Sequence, residues 1–413
     1  MTVSNPFVAL ILVFMLLSCD KKEPAPTKDD DTKPPIQIYP PVETKSPNSN
    51  YQPAFAGQTR VSGVKTTTGL DIKVIAQGLS SPWGIVSLPD GRFLITQKGG
   101  TMRISSESGN LGGSIDGVPA VNSGGQGGLL DVAIAPDFIT SKMIFFTFSE
   151  NNTGGTLTAV AKGKLSADET RLEDVSVIYR AIPAYSSTLH YGGRLVFDKN
   201  GDLFVSTGDR SSIGSRMMVQ NLNNALGKIV HISQNGQPAA GTPHFSEIGA
   251  LKEIYSGGHR NTQSLAIHPT TNELWQAELG PLGGDEVNLI KPRKNYGWPT
   301  ITYGLEYSGA KIGDGITQLS GMEQPAYYWD PVVSPSGMIF YNSTLIPEWK
   351  NNLFIGALSG QHIARLVIVD NKVVGEERLL AGEGQRFRDL AQGNDGAMYT
   401  VTDAGRLYRI GKK

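Results

Sequence analysis

Four short polar strings of this chain contain the residue types from which an enzyme could build a site. The first covers residues 189–194 (LHYGGR), where His190 is a candidate general base because an imidazole titrates close to neutral pH. A single histidine before a strand is more often a hydrogen-bonded structural residue. This string therefore does not establish catalysis by itself.

Two further strings carry side chains that suit an anionic ligand. Residues 257–263 (GGHRNTQ) place Arg260, Asn261 and Gln263 behind a Gly-Gly turn, and these groups offer planar, multidentate hydrogen bonding to carboxylates and carbonyls. Residues 384–389 (GQRFRD) put Arg386 and Arg388 on one face of an extended segment, where both could meet one carboxylated ligand. A polar turn and a solvated arginine pair are the equally weighted plain interpretations.

The fourth string, residues 278–288 (ELGPLGGDEVN), is rich in potential oxygen ligands. Calcium takes six to eight oxygens from carboxylates and backbone carbonyls, and a Gly-Pro turn beside Asp285 and Glu286 can supply both kinds. The string NYGWP at residues 295–299 follows closely. An acidic surface loop is the more common meaning of an isolated Asp-Glu pair.

The elements that must position these strings are hairpins. The repeated phrase consists of an apolar strand, a turn of Pro, Asp, Asn or Gly, and a second apolar strand. It recurs six times, at residues 83–97, 127–148, 192–209, 262–280, 336–357 and 388–403. Six such recurrences are expected if each is the inner pair of one blade. We therefore predict an all-β fold, a six-bladed β-propeller of four-stranded antiparallel blades, with the polar strings around one channel mouth.

Composition supports this fold class and excludes some partners. The chain has 413 residues, of which 49 are glycine and 18% are charged, and its formal net charge is -1. A nucleic-acid partner is not expected, because phosphate neutralisation requires a basic surface. With Cys19 as the only cysteine, the folded domain has no internal disulfide. The propeller is predicted over residues 60–413, with no second domain.

The N-terminal region predicts secretion and anchoring. Residues 6–17 (PFVALILVFMLL) are apolar but too few to span a bilayer comfortably, and the LLSC string that ends at Cys19 resembles a bacterial lipoprotein processing signal. We predict a signal peptide over residues 1–18, lipidation of Cys19, and a disordered Pro-rich tether over residues 19–58. The expected location is the cell envelope, facing the periplasm or the cell exterior. An ordinary secretory peptide with an incidental cysteine is the alternative.

Taken in order, the strings resemble the soluble glucose/sorbosone dehydrogenase family, and within it the bacterial PQQ-dependent aldose sugar dehydrogenases. The resemblance runs from about residue 78 to the C-terminus and rests on GLSSPW (78–83), GQGGLLD (125–131), APDF (135–138), LHYGGR, GGHRN, GGDE, NYGWP and RFRD. It implies a six-bladed propeller, an aldose substrate oxidised to a lactone, PQQ and Ca²⁺ as cofactors, and an external electron acceptor such as a quinone, cytochrome or dye.

The resemblance also implies roles for individual residues. His190 would be the general base, and Arg260 would polarise a quinone carbonyl. The cofactor-binding residues would be Gln126, Arg260, Asn261, Gln263, Arg386 and Arg388. Calcium would be bound by Gly280 and Pro281, and a second, structural calcium by Glu286 and Tyr296.

The chain departs from the family pattern at two places. Leu189 stands where the best-known soluble glucose dehydrogenases have an aspartate, and Ser359 or Gly360 stands where relatives have a cofactor-contacting lysine. Two other functions remain open at this point. One is a non-catalytic, membrane-tethered propeller that binds carbohydrate or protein. The other is a calcium-dependent lactonase, which would need several carboxylate or Asn ligands at the channel axis.

Overall fold

The computed structural model describes residues 1–2 and 37–413, and this part of the chain contains six sheets. The first sheet consists of β2 (Pro82–Ser87), β3 (Phe93–Gln97), β4 (Thr101–Ser105) and β5 (Leu111–Ile115). The second consists of β6 (Leu129–Ile134), β7 (Met143–Asn152), β8 (Gly155–Leu165) and β9 (Leu172–Arg180). The third consists of β10 (Gly192–Phe197), β11 (Leu203–Thr207), β12 (Lys228–Ile232), β13 (Ile254–Gly257) and β17 (Lys294–Asn295).

The remaining sheets complete the set. The fourth consists of β14 (Thr262–Ile267), β15 (Leu274–Glu278), β16 (Asp285–Ile290) and β18 (Tyr327–Trp329). The fifth consists of β19 (Pro335–Phe340), β20 (Leu353–Ala357), β21 (Ile363–Val369) and β22 (Lys372–Leu379). The sixth consists of β23 (Phe387–Gln392), β24 (Met398–Thr402), β25 (Leu407–Lys412) and β1 (Leu70–Ala76). Short helices occur at α1 (Phe138–Ser141), α2 (Ile213–Arg216) and a 3₁₀ turn (Pro347–Trp349).

The six sheets are the blades of a propeller. Their first strands contact one another in a closed ring in the order β2, β6, β10, β14, β19, β23 and back to β2. Each of the six predicted phrases forms the first two strands of one blade, so the six-bladed prediction is confirmed. One detail differs, because the two-residue strand β17 adds a fifth, parallel strand to the third blade.

The ring of blades is closed by a pairing between the first and last strands of the chain, β1 and β25. Strand β1 lies antiparallel to the C-terminal strand β25, with Leu70 opposite Lys412. This pairing completes the sixth blade and removes the strand edges that an open ring would expose. Large apolar side chains, among them Phe146 and Phe148, fill the spaces between blades and are fully buried. Each such burial contributes roughly 1.5–3 kcal/mol.

The segment over residues 38–58 differs from the sequence-based prediction of a disordered tether. Asp330 accepts hydrogen bonds from the backbone N–H groups of Asn48 and Ser49, at 2.8 and 3.0 Å, and Gln58 is fully buried. Tyr39 pairs with Gly63 in a β-bridge. This polar segment is ordered without an apolar core of its own, because it forms hydrogen bonds to the preformed surface of the propeller.

The chain divides into the units Met1–Gln37 and Ile38–Lys413. The predicted signal peptide, the lipidation site Cys19 and the first part of the tether fall on residues 3–36, outside the described residues. Within residues 1–2 and 37–413, no helix is both long enough and apolar enough to cross a membrane.

Candidate active site

The polar strings converge because they flank the same end of the blades. His190 lies two residues before β10, Asn261 directly precedes β14, and Gln126 lies shortly before β6. Asp209 and Asp403 lie just after the second strands of their hairpins, β11 and β24. In an antiparallel hairpin, the start of the first strand and the end of the second are neighbours, so all these residues gather at one mouth of the channel.

A buried histidine–aspartate pair lies at this mouth. The Nδ1 atom of His190 is 2.7 Å from Oδ1 of Asp209, and both side chains are almost completely buried. The backbone of His190 has a φ of +47°, and Gly208 lies so close to the His190 carbonyl that a Cβ would not fit there. A non-glycine residue in this left-handed region is strained, and such strain often occurs at functional positions.

The electrostatics keep the imidazole neutral and the carboxylate charged. Burial lowers the pKa of His190, the hydrogen bond that its Nδ1–H donates to Asp209 opposes this, and the positive charge of Arg260 lowers the pKa further. Burial raises the pKa of Asp209, but the hydrogen bonds from His190 and Ser211 and the positive charge of Arg260 outweigh it, so the pKa lies below its usual value. An ionised carboxylate can only accept, so Nδ1 carries the imidazole proton and Nε2 has the lone pair of a base.

Further contacts hold this pair in place. The indole Nε1 of Trp298 donates to Oδ2 of Asp209 at 2.8 Å, and the backbone N–H of Ser211 donates to Oδ1 at 2.7 Å. The guanidinium of Arg260 lies 5.2 Å from the centre of the Trp298 ring. Its Nη1 donates to the carbonyl oxygens of Leu279 and Gly280, both at 2.8 Å. Asp209, Trp298 and Arg260 thus form one connected group beside the base.

Two predicted cofactor residues contact the backbone around the histidine. The Oε1 atom of Gln126 accepts the His190 N–H at 2.8 Å, and Oδ1 of Asn261 accepts the Gly192 N–H at 3.1 Å. These bonds tie the loops of neighbouring blades together. The Nδ2 group of Asn261 and the Nε of Arg260 are buried and have no hydrogen-bond partner within residues 37–413. Both are donors that a ligand could satisfy.

The paired arginines of the sixth blade meet a carboxylate of the protein itself. Asp403 accepts from Nε of Arg386 at 2.7 Å and from Nε of Arg388 at 2.8 Å. Burial raises the pKa of Asp403, but the charges and hydrogen bonds of the two arginines outweigh it and lower the pKa overall. Nη1 of Arg388 also donates to Oε1 of Gln263 at 3.2 Å, which connects two predicted cofactor residues across blades.

An ion triad occupies the central channel. Nη1 of Arg194 lies 2.9 Å from Asp131 and 2.8 Å from Asp389, and all three side chains are buried. The guanidinium also lies 4.1 Å from the centre of the Trp83 ring. One guanidinium thus pairs with both carboxylates, and burial raises the pKa of each carboxyl group, that of Asp389 to about 6.

The predicted active-site calcium residues lie on a tight turn at the same mouth. Gly280 and Pro281 follow β15, and the backbone N–H of Gly280 donates to Asp285 at 2.7 Å. Burial raises the pKa of Asp285 to about 7, although three backbone hydrogen bonds oppose the shift. The carbonyls of Gly283 and Gly284 lie against the Cα of Gly280, so the turn concentrates backbone oxygens.

Glu286 and Tyr296, the residues predicted to bind a second calcium ion, are connected through the side chains of Glu278 and His259. Glu286 lies opposite Glu278 in the sheet, and burial followed by the charge of Glu278 raises its pKa well above the usual value. The Nδ1 of His259 is 3.3 Å from Glu278, and the His259 ring stacks on Tyr296. The Tyr296 hydroxyl already donates to the Leu289 carbonyl at 2.7 Å, so a cation would use another oxygen of this residue.

Sequence reasoning missed three residues of this site, Asp209, Trp298 and Asp403. A signal for the two aspartates was present, because each comes directly after the second strand of a repeated phrase. Ser359, which with Gly360 is the predicted place of the family's lysine, lies with its Oγ 2.7 Å from Oγ of Ser334. Trp329 is a buried core residue whose indole N–H lies 3.2 Å from Glu376.

Comparison with known proteins gives a consistent result. Residues 79–409 match the family model described as Glucose / Sorbosone dehydrogenase. Aldose sugar dehydrogenase YliI of Escherichia coli is 40% identical over 346 residues, which are 83% of this chain and 92% of that protein. Quinoprotein glucose dehydrogenase B of Acinetobacter calcoaceticus is 25% identical over 420 residues, which are 82% of this chain and 87% of that protein.

Solved structures agree with the sequence matches. The apo-form crystal structure of the soluble aldose sugar dehydrogenase from Escherichia coli has a TM-score of 0.79 at 40% identity and covers 83% of this chain and 100% of that chain. The PQQ-bound aldose sugar dehydrogenase from Streptomyces coelicolor has a TM-score of 0.69 at 27% identity, covering 84% of this chain and 100% of that chain. This chain belongs to the glucose/sorbosone dehydrogenase family and is a sugar dehydrogenase, an oxidoreductase.

Proposed function

We propose that the protein oxidises aldose sugars at the anomeric carbon to lactones, with PQQ and Ca²⁺ as cofactors and an external electron acceptor. The observation that carries this proposal is the buried His190–Asp209 pair with Arg260 beside it. In the reaction, the anomeric O–H loses a proton and the C–H carbon loses a hydride, so two electrons leave the sugar. When bound, PQQ supplies a two-electron acceptor for that hydride.

The residues at the mouth fit an anionic, planar cofactor. PQQ carries three carboxylates, and the mouth presents the guanidinium groups of Arg260, Arg386 and Arg388 together with the amide N–H groups of Asn261, which have no partner among residues 37–413. Arginine suits this task because its planar donors match carboxylate geometry. Gln126 and Gln263 complete the proposed binding set.

The acid–base step belongs to His190. Its Nε2 would take the proton from the anomeric hydroxyl, and Asp209 would stabilise the resulting imidazolium through Nδ1. The fixed charge of Arg260 can stabilise negative charge that develops at the reacting centre, because burial strengthens such an interaction. The contacts of Trp298 and Gln126 keep the imidazole in one orientation.

The acidic turn fits a calcium ion. The carbonyl oxygens of Gly280 and Pro281 are hard ligands of the kind that Ca²⁺ prefers, and the Gly280 oxygen would be shared between the ion and Nη1 of Arg260. Glu278 is buried and faces the partly buried Glu286 across the sheet, and a cation at the second proposed site, with Glu286 and Tyr296, would offset their repulsion. The expected role of the first ion is to anchor the cofactor and act as a Lewis acid.

A reconstitution assay tests the proposed function. Purified full-length protein is treated with chelator, mixed with PQQ and Ca²⁺ separately and together, and assayed for aldose-dependent reduction of an artificial dye. Activity is expected only when both are present. If neither activity nor PQQ binding appears, the protein is a non-catalytic propeller.

Residues 38–59 should be retained in any truncated version of the protein, since Asn48 and Ser49 contact Asp330.

We predict that Arg388→Ala weakens PQQ binding by about 10-fold or more, because charge-assisted hydrogen bonds contribute roughly 1.5–3 kcal/mol each. Arg388 is the more buried of the two arginines on Asp403, with 13% of its side chain exposed against 47% for Arg386. PQQ titration followed by fluorescence quenching measures the effect. Arg103→Ala, on an outer strand, is the matched control. An unchanged titration for Arg388→Ala would remove it from the cofactor site.

The two alternative functions are less well supported. A pure binding module has no need for a buried base oriented by a carboxylate, which favours the enzyme over the tethered binding propeller. A lactonase needs free carboxylates at the channel axis, whereas Asp131 and Asp389 are both paired with Arg194.

We also propose that the protein is a lipoprotein of the cell envelope, attached to a membrane through Cys19. Support comes from the sequence around Cys19 and from its being the only cysteine. Cys19→Ser is expected to move the protein from the membrane fraction of cells to the soluble fraction, because lipid attachment supplies the anchoring energy. Immunoblots of the two fractions measure this, and membrane retention of the variant would contradict the proposal.

A further inference from the structure

A cluster of possible metal ligands lies in the third blade, outside the site described above. It consists of Asp198 and Asp202 in the turn between β10 and β11, and His231 on β12. One ligand atom from each lies within 4.8 Å of the others. The cluster is at the closed end of the hairpin, whereas His190 and Asp209 are at its open end. The six residues of β10 separate the two ends by about 20 Å.

The histidine of this cluster is buried and has one unsatisfied ring nitrogen. Only 7% of His231 is exposed, and its Nε2 has no hydrogen-bond partner within the described ranges. The nearest carboxylate oxygen, Oδ2 of Asp198, lies 3.3 Å away but outside hydrogen-bonding geometry. In a tetrahedral zinc site with bonds of about 2.0–2.1 Å, neighbouring ligand atoms are about 3.3 Å apart. The observed separation therefore fits two ligands of one ion.

The other ring nitrogen fixes the orientation of the imidazole. Nδ1 of His231 is 2.7 Å from the hydroxyl of Thr242. The ring stacks on Phe204, with 4.1 Å between ring centres, and meets the edge of Tyr255. When Nδ1 donates to Thr242, Nε2 carries the lone pair, on the side of the ring that faces Asp198. Metal-binding histidines commonly have such an outer hydrogen bond, which sets the tautomer.

The turn presents the carboxylates in a defined geometry. Oδ1 of Asp198 accepts the backbone N–H groups of Asn200 and Asp202, at 2.8 and 2.9 Å, while Oδ2, which accepts one long hydrogen bond from Nδ2 of Asn200 at 3.3 Å, is the oxygen nearest His231. Two negative charges this close repel each other when both are partly shielded from water. A divalent cation would neutralise them, and the three protein ligands would then form a site of zero net charge.

We propose that Asp198, Asp202 and His231 bind a divalent transition-metal ion, with Zn²⁺ as the best fit, that links the β10–β11 turn to β12. An imidazole ligand favours Zn²⁺ over Ca²⁺ and Mg²⁺, which prefer six or more oxygens. The fourth position of the tetrahedron would hold water. Because the ion lies at the far end of the hairpin from His190, its role is to stabilise the third blade, and it is independent of PQQ and of the calcium sites.

Zinc titration of the untagged full-length chain tests this proposal. The protein is treated with chelator, equilibrated in excess Ca²⁺ without PQQ, and titrated with Zn²⁺ by calorimetry. We expect one zinc equivalent to bind, and Co²⁺ to give visible absorption bands in the same site. Asp202→Asn and His231→Gln should each lower zinc affinity at least 100-fold and abolish the cobalt spectrum. Asp202 lies in the turn, so its variant remains informative if His231→Gln does not fold.

The controls are the exposed His244 and the histidine of the matching turn in the fourth blade, His268. His244→Gln and His268→Gln should keep the zinc equivalent and the cobalt bands. Zinc should also raise the melting temperature of the wild type but not of Asp202→Asn, because only a folded site gains from the ion. Failure of the wild type to bind zinc, or equal binding by Asp202→Asn, would overturn the proposal. Neither readout depends on sugar oxidation.

Discussion

The variant His190→Gln is expected to lose turnover by a factor of about 10²–10⁴ while it still binds PQQ, the range expected for loss of a general base. The reason lies in the geometry of His190, whose Nδ1 is held by Asp209 and whose burial keeps the ring neutral at neutral pH. Glutamine retains a polar side chain of similar reach but cannot accept a proton under these conditions.

The measurement is steady-state dye reduction with a saturating aldose, together with a PQQ titration of the same preparation. His244→Gln, at an exposed position remote from the channel strings, is the control and should keep wild-type turnover. If His190→Gln turned over at the wild-type rate, His190 would have no part in proton transfer. If it lost PQQ binding as well, its role would be structural.

Asp209→Asn is expected to lower turnover by about 100-fold or more, with little change in PQQ affinity. Asp209 accepts hydrogen bonds from His190, Trp298 and Ser211. An amide in its place can donate to Nδ1, which would put the imidazole proton on Nε2 and block the base. The substitution also removes the negative charge that stabilises the imidazolium.

The pH profile separates this mechanism from simple misfolding. Asp209 raises the pKa of His190, so without its charge the pKa falls further below the usual value. The base must be unprotonated to act, so the acidic limb of kcat/KM should move to lower pH in Asp209→Asn, while the rate is reduced at every pH. Asp168→Asn, in a surface turn of the second blade, should leave the profile unchanged. An unshifted limb in Asp209→Asn would show that Asp209 does not act through the imidazole.

Much of the architecture could be predicted because the propeller is built from local units. Each hairpin phrase contains both of its strands and their turn, so alternation and turn residues reveal it without knowledge of distant contacts. The strings around His190, Arg260 and Arg388 were recognisable for the same reason. Each lies immediately before or within the first strand of a repeat, and this position places it at the channel mouth.

The tertiary structure decided which of these residues meet and what else meets them. Asp209 reaches His190 through the register of the β10–β11 hairpin, and Trp298 reaches Asp209 from the loop after β17, 89 residues further along the chain. Asp403 lies between two arginines that sequence reasoning assigned to a ligand alone. These contacts depend on register and on closure of the ring.

The same distinction holds in the N-terminal segment of the folded domain and in the third blade. Residues 38–58 look like a tether by composition, yet Asp330, far away in the chain, orders Asn48 and Ser49. His231 faces Asp198 only because β12 pairs with β11 in one particular register. The sequence alone determined the repeated hairpins and the chemical types at the mouth, because these are set by neighbouring residues. Only the tertiary structure decided the partners of each polar group, because strand register and ring closure bring together residues that no local spacing relates.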